Sequence, residues 1–123
     1  MAGKVVVSTL NNDTGVLATQ NGMTGIAKAW CNYNGSTQTI TNSFNISSVT
    51  YNGTANYTFN FTTAMPNATY TAFWSGSGVS TTSYIGIFDY SAARTSSSIN
   101  VLTIDANGGA FNTSSGNLVV FSS

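Results

Sequence analysis

The segment Tyr57-Thr58-Phe59-Asn60-Phe61-Thr62 alternates an aromatic residue with a small polar one at every step. Successive side chains of a β-strand point to opposite faces, so this pattern predicts a strand with its aromatic face buried. Just upstream, Ser48-Val49-Thr50-Tyr51 leads into Asn52-Gly53. Asn-Gly between two such runs is the strongest short-range signal for a hairpin. The sequence therefore predicts a β-hairpin that turns at Asn52-Gly53.

The same alternation continues through most of the chain. β-Branched and aromatic residues alternate with Thr, Ser and Asn, while Glu is absent and Lys is rare. Further strands are predicted at 26–33, 37–45, 69–74, 84–90, 98–104 and 118–121, with Gly-, Ser- and Asn-rich loops that include 75–83, 90–97 and 106–116. Closely spaced strands with turn signals between them predict an all-β fold, an antiparallel β-sandwich or jelly-roll-like domain.

The first 24 residues follow a different pattern. A short strand is predicted at 5–10, and the residues after it show weak periodicity with several Gly and Asn turn signals. We interpret 1–24 as an extended lead-in or an arm that docks on a neighbouring subunit, and 25–123 as the β-sandwich. A chain of 123 residues corresponds to one domain.

Charged residues are scarce: three Lys or Arg, three Asp, no Glu and no His. Because acid–base catalysis and metal binding rely mainly on these residue types, the sequence predicts no enzyme, no metal and no cofactor. Nucleic-acid binding needs clustered Lys and Arg, and a membrane span needs roughly 20 consecutive apolar residues. Neither pattern is present. A neutral surface also lacks charge repulsion, which favours an oligomer.

Three motifs have both a functional and a structural interpretation. Asp89 and Asp105 are the available carboxylate pair for an enzyme that degrades polysaccharide. Asp105-Ala106-Asn107-Gly108 resembles the start of a calcium loop, but no acidic residue follows it, so a glycine turn is favoured. The single Cys31 cannot form an internal disulfide, which favours folding in a reducing cytosol. Its place in a predicted strand indicates a small buried hydrophobe.

Four residues are candidates for surface contacts. Trp74 precedes a Ser-Gly stretch, Tyr84 and Tyr90 flank predicted loops, and Arg94 lies within the loop at 90–97. Aromatic rings beside polar loops can stack on sugars or anchor protein interfaces. Packing in the core or between subunits is the alternative for the three rings.

Residues 17–66 resemble a module found near the C-termini of tailed-bacteriophage tail fibres and related virion proteins. The resemblance rests on five stretches in a distinctive order: LATQNGMTGIAKAW at 17–30, NYNG at 32–35, SFNISSVT at 43–50, NGT at 52–54 and NYTFNFTTAMP at 56–66. It covers about two fifths of the chain and provides no receptor-binding residues to carry over.

The resemblance implies an exposed, non-catalytic β domain on a phage particle, trimeric as fibres tend to be. It would be made in the host bacterial cytoplasm and end in the virion. Its partners would be copies of itself, other virion proteins and a glycan or protein of the host surface. Tail fibres are long, whereas this chain begins close to the module. A second role therefore stays open, that of a capsid decoration protein that stabilises the phage head.

Overall fold

The computed structural model of the protein describes Gly3 and residues 26–78, 84–88 and 94–122. These residues form strands and no helix: β1 (Ala29–Asn34), β2 (Thr39–Phe44), β3 (Ile46–Gly53), β4 (Asn56–Phe61), β5 (Thr71–Ser77), β6 (Tyr84–Phe88), β7 (Ser98–Asp105) and β8 (Ser115–Phe121). The all-β prediction is confirmed. The predicted arm at 1–24, with its strand at 5–10, lies outside the described residues apart from Gly3.

The strands form two antiparallel four-stranded sheets that pack face to face as a β-sandwich. Sheet A has the order β2-β1-β8-β5 and sheet B the order β3-β4-β7-β6. Strands β1 to β4 therefore build one lateral half of the sandwich, two strands in each sheet.

Aromatic side chains dominate the core between the sheets. Tyr57, Phe59 and Phe61 all point inward from β4 and are buried, as their alternation predicts. The ring of Tyr57 lies 5.2 Å from that of Tyr33 on β1, and the ring of Phe59 lies 5.3 Å from that of Trp74 on β5. Burial of each such side chain contributes roughly 1.5–3 kcal/mol to folding.

The predicted hairpin is present, but its turn lies two residues further on. β3 and β4 pair with Tyr51 opposite Tyr57 and with Gly53 opposite Asn56, so Asn52-Gly53 belongs to β3. Ala55 takes the left-handed conformation in the turn, with a φ of 70°. Its N–H donates to Asn112 Oδ1 at 2.9 Å and its carbonyl accepts from the Thr103 N–H at 3.0 Å. These hydrogen bonds to residues distant in sequence hold Ala55 in the left-handed conformation, which alanine rarely adopts on its own.

Strand β5 extends three residues beyond its predicted end at Trp74. The Ser-Gly stretch that suggested a loop continues the strand to Ser77. A Cβ atom at Gly76 would lie 2.8 Å from Thr103 Cγ2 and 2.9 Å from Thr113 Oγ1. The glycine is therefore needed for close packing and does not mark a turn.

A single residue, Asn45, joins sheet A to sheet B between β2 and β3. Its φ is 56°, and asparagine is one of the few residues with a side chain that adopt this conformation. Asn45 Nδ2 donates to the carbonyls of Lys28 at 2.9 Å and Thr63 at 3.0 Å, and Oδ1 accepts from the Thr63 N–H at 2.7 Å. The side chain thus ties the start of β1 and the end of β4 to the same corner.

Candidate interaction surface

The structure changes the interpretation of the predicted contact residues. Trp74 is 6% exposed, and its indole N–H donates to Thr103 Oγ1 at 3.3 Å inside the sandwich. The expectation that its ring faces outward is wrong, because Trp74 shares the inward side of β5 with Ala72. Arg94 is exposed, and its guanidinium Nη1 donates to the Tyr70 carbonyl at 2.9 Å.

The two tyrosines among these candidates are not placed. Tyr84 opens β6, but its side chain is not described, and Tyr90 lies outside the described residues. The structure therefore places two of the four predicted contact residues, Trp74 in the core and Arg94 at the surface.

Groups that could support catalysis or metal binding are either engaged in the fold or outside the described residues. Cys31 is 1% exposed, and burial raises the pKa of its thiol to about 11, so it stays protonated at neutral pH. Asp105 Oδ1 accepts from the N–H groups of Asn107 at 2.8 Å and Gly109 at 2.7 Å, which closes the expected glycine turn. Asp89 lies outside the described residues. Within the described part of the chain, no cluster of His, Cys, Asp or Glu could hold a metal.

No helix in the described ranges is long and apolar enough to cross a membrane.

The outer face of sheet B carries a network of polar side chains on β3, on β4 and at the start of β7. Asn60 Nδ2 donates to Ser48 Oγ at 3.0 Å and Thr50 Oγ1 at 3.2 Å, and Asn100 Nδ2 donates to Thr58 Oγ1 at 2.9 Å. The buried Asn100 Oδ1 is an exception, since it has no hydrogen-bond partner among the described residues. This part of the face is polar, and its hydrogen bonds are made across neighbouring strands. Further along β7, the half-buried Leu102 and Ile104 lie on the same face, because they alternate with the inward Val101 and Thr103.

The outer face of sheet A carries a row of apolar side chains that crosses all four strands. Trp30 on β1 is opposite Phe44 on β2 and Val119 on β8, and Val119 is in turn opposite Phe73 on β5. Phe44 is 53% and Phe73 67% exposed, while Trp30 and Val119 are half-buried. We call Phe44, Trp30, Val119 and Phe73 the aromatic row. It forms an apolar strip across the full width of the sheet.

A polar row lies beside the aromatic row, two residues further along the strands. It consists of Asn42, Asn32, Asn117 and Ser75, which share the register of the four strands. Asn32 Nδ2 donates to Asn117 Oδ1 across β1 and β8. Since each residue adds about 3.4 Å along an antiparallel strand, the two rows are roughly 7 Å apart. Sheet A therefore presents an apolar strip bordered by amides.

A cleft of about 720 Å³ opens at the end of the sandwich beside the Asn45 corner. Its lining is mainly apolar: Ile26, Ala27, Lys28, Phe44, Asn45, Thr62, Thr63, Ala64, Met65 and Pro66. Phe44 belongs both to this cleft and to the aromatic row, so the two apolar surfaces are continuous. The volume lies within the range of small-ligand pockets, although no convergent set of charged groups lines it.

On β5 the sequence analysis proposed Trp74 as the exposed ring, whereas the exposed ring is that of Phe73. The alternation of residues along this strand already indicates which ring faces outward. Phe73 and Trp74 are adjacent in a strand, so one must face inward and the other outward. Phe73 alternates with Thr71 and Ser75, both exposed, which places it on the polar and therefore outer side. The cross-strand contacts that make the row depend on register and are not visible in any single segment.

Comparison with protein-family models, with curated proteins and with solved structures finds no match for this chain. Its function is therefore argued from its own residues.

Proposed function

We propose that this protein is a non-enzymatic structural component of a tailed-bacteriophage particle, part of a tail fibre or its tip that takes part in attachment to the host surface. The observation that carries the proposal is the exposed aromatic row on a chain with only 5% charged residues and no net charge. An apolar strip without charge repulsion makes a free monomer prone to association. Such a face suits a subunit that works within an assembly.

The resemblance at residues 17–66 supports the same proposal. Its described part contributes the four strands β1 to β4, which form one coherent half of the sandwich. In this proposal the protein is a homotrimer in the virion, made in the bacterial cytoplasm. It contacts other virion proteins and neither nucleic acid nor the interior of a membrane.

Two reactive groups in the described part of the chain, Cys31 and Asp105, support a role without catalysis or cofactor. The Cys31 thiol is buried and protonated, and the carboxylate of Asp105 accepts hydrogen bonds from its own turn. A nucleophile or general base must instead be accessible and poised to exchange a proton near neutral pH.

In the tail-fibre role, host contact falls to the segments that connect β5 to β6 and β6 to β7. Tyr84, Tyr90 and Arg94 remain candidates there, whereas Trp74 is withdrawn because it lies in the core. The expected receptor is a glycan or a protein of the bacterial surface, bound by stacking and hydrogen bonding.

Capsid decoration is the second candidate function. It is favoured by the position of the aromatic row on the face of a sheet, because a broad face can lie against a shell. In this role the protein would stabilise the phage head.

Immunogold electron microscopy of intact particles, with antibody against this chain, tests the proposal. Gold at the tail end supports the fibre or tip role, and gold over the head supports decoration. Particles without gold would refute both roles. Antibody that has been pre-absorbed with the purified protein is the control for non-specific labelling.

A further inference from the structure

We infer that Asn107 is a site of spontaneous deamidation, at which the side-chain amide is converted to a carboxylate without an enzyme. The only co-reactant is water, and the hydrogen bonds that Asp105 makes within the turn after β7 limit the rate. This chemistry belongs to the turn alone, so it holds whether or not the chain is part of a phage particle.

The reaction depends on the glycine that follows the asparagine. The backbone nitrogen of Gly108 forms a bond to Cγ of Asn107 while the Cγ–Nδ2 bond breaks. Nδ2 leaves as ammonia and takes up, through water, the proton that the Gly108 nitrogen gives up. Water then adds to one of the two carbonyl carbons of the five-membered succinimide ring and opens it to aspartate or isoaspartate. One water is consumed and one ammonia released, and nothing is oxidised or reduced. Glycine favours the first step because it has no Cβ to shield the nitrogen and restricts the backbone least.

Asparagine precedes glycine at four positions of the chain, and the fold treats them differently. The four asparagines are Asn21, Asn34, Asn52 and Asn107. Asn21 lies outside the described residues. At the other three the following glycine favours the reaction equally, so the surroundings of each asparagine decide which of them reacts first.

The turn leaves Asn107 open to the reaction. Asn107 is exposed, and its side-chain amide makes no hydrogen bond to any described residue. A Cβ atom at Gly108 would have nothing within 4 Å, so the attacking nitrogen lies in open space. The hydrogen bonds that hold the turn are local. The N–H groups of Asn107 and Gly109 donate to Asp105 Oδ1 at 2.8 and 2.7 Å, and that of Gly108 donates to the Asp105 carbonyl at 3.0 Å. The turn can therefore open without opening either sheet.

Asn34 is held by contacts across the fold. Its Oδ1 accepts from the N–H groups of Ser36 and Thr37, each at 3.0 Å. The N–H of Gly35, which would have to attack, donates to the Thr113 carbonyl at 2.8 Å, and Gly35 is itself buried. Reaction at Asn34 therefore requires part of the sandwich to open.

Asn52 is exposed, but it belongs to β3. Its Nδ2 donates to Asn56 Oδ1 at 3.1 Å and to Thr58 Oγ1 at 2.8 Å, and Gly53 pairs with Asn56 on β4. Attack on Cγ of Asn52 requires the side chain to leave both acceptors and the end of the hairpin to open. Asn52 should therefore react more slowly than Asn107, although both are exposed.

The product changes the charge of a chain that has few charges. Three acidic residues balance three Lys or Arg, so one more carboxylate takes the net charge from zero to −1. The new carboxylate lies two residues from Asp105, and the repulsion between them works against the turn that both belong to. Isoaspartate also adds one carbon to the backbone of the turn. A protein that persists without resynthesis therefore accumulates an acidic form with age.

Site-resolved mass spectrometry of the purified native protein is the test. The protein is kept in mildly alkaline buffer at physiological temperature, and the chymotryptic peptides of Asn34, Asn52 and Asn107 are followed for the gain of one mass unit that marks deamidation. We expect conversion at Asn107 to be at least roughly tenfold faster than at the other two, because opening a sheet costs more free energy than opening the turn. The same chain unfolded in guanidinium chloride is the control, and there the three positions should convert at similar rates.

Two results of this comparison would overturn the inference. One is native conversion at Asn34 or Asn52 that is as fast as at Asn107. The other is an Asn107 that stays intact in the native protein while the unfolded chain converts.

Two variants of Asp105 test how the turn limits the rate. Asp105→Ala removes the acceptor of the Asn107 and Gly109 N–H groups, so conversion at Asn107 should become several-fold faster. The rates at Asn34 and Asn52 should stay the same. Asp105→Asn is the matched control, since it removes the same charge but keeps a side-chain oxygen that can accept from both N–H groups, and its rate should stay close to that of wild type. Circular dichroism should give the same β spectrum for all three proteins.

Equal acceleration in the two variants would assign the effect to the lost charge. No acceleration in Asp105→Ala would mean that the turn does not limit the reaction. Either result would overturn the role assigned to Asp105.

Discussion

Substitution of Asn45 tests how the two sheets are joined. Asn45→Ala removes three side-chain hydrogen bonds, to the Lys28 carbonyl and to both the N–H and the carbonyl of Thr63. Two of these bonds are exposed and one is partly buried, so each is valued near the lower end of the usual range, and together they contribute about 2 kcal/mol. Alanine must also adopt a φ of 56°, which adds about 1 kcal/mol.

Asn45→Gly separates these two contributions. Glycine loses the same three hydrogen bonds but accepts the positive φ, so we expect a cost near 2 kcal/mol against about 3 kcal/mol for alanine. Urea unfolding, followed by tryptophan fluorescence, measures both. With an m-value of about 1.5 kcal/mol/M, the midpoint should fall by about 2 M for Asn45→Ala and about 1.3 M for Asn45→Gly.

Two outcomes would contradict the expected role of Asn45. A loss below about 1 kcal/mol for Asn45→Ala would mean that water replaces the three hydrogen bonds without cost. Equal losses for alanine and glycine would mean that the left-handed backbone carries no strain at residue 45, and the hydrogen bonds would then account for the whole effect.

Three further predictions concern the core. Gly116→Ala should cost about 1–3 kcal/mol in urea unfolding, because its Cβ would meet the Trp74 ring, with Cζ2 only 2.9 Å away; an unchanged midpoint would contradict this packing. Cys31 should react with a thiol reagent such as DTNB only when urea unfolds the protein, because it is buried and its pKa is raised to about 11; rapid labelling of the native protein would contradict it. Burial raises the pKa of Tyr57 and of Tyr70 from 10.0 to about 12. Above pH 10 the unfolded chain therefore loses phenol protons that the native state keeps, and each tyrosine should lower the free energy of unfolding by up to about 1.4 kcal/mol per pH unit until pH 12. Equal urea midpoints at about pH 8 and about pH 11 would refute that assignment.

The sequence predicted strands well wherever local alternation was strong. Eight of the nine predicted strands lie in the described part of the chain, and each of the eight is present, with ends within three residues where the chain is described. The ninth, at 5–10, lies outside the described residues. The buried face of β4 was predicted correctly because Tyr57, Phe59 and Phe61 put all of its large apolar side chains on one face of the strand. The burial of Cys31 followed from its position in such a strand.

The errors arose where residues distant in sequence decide the local conformation. Asn52-Gly53 favours a turn by its own conformational preference. In the structure, Asn112 accepts a hydrogen bond from the Ala55 N–H, and the turn lies two residues later in the chain. The Ser-Gly stretch after Trp74 lacks strand propensity, yet packing of Gly76 against Thr103 keeps it in β5. No pattern within a short window contains these contacts.

The candidate site was harder to predict than the fold for the same reason. The aromatic row depends on the pairing of β1 with β8, which sets Trp30 opposite Val119 at a distance of 89 positions along the chain. A register shift of one residue would turn the outward rings inward. Aromatic residues beside predicted loops can be recognised in one segment of sequence. The position of one ring opposite another on a neighbouring strand requires the strand register, which a single segment does not contain.

The inward and outward aromatics of sheet A have separate roles. Inward residues such as Trp74 and Leu118 meet sheet B, and folding requires them to be apolar. Outward residues have no such requirement, and on β4 of sheet B they are indeed polar, as Thr58 and Asn60 show. Phe73 lies 67% exposed on the edge strand β5, where its ring gains little from folding and promotes association with other molecules. An outer ring such as that of Phe73 therefore contributes little to folding, whereas the inner aromatics define the fold.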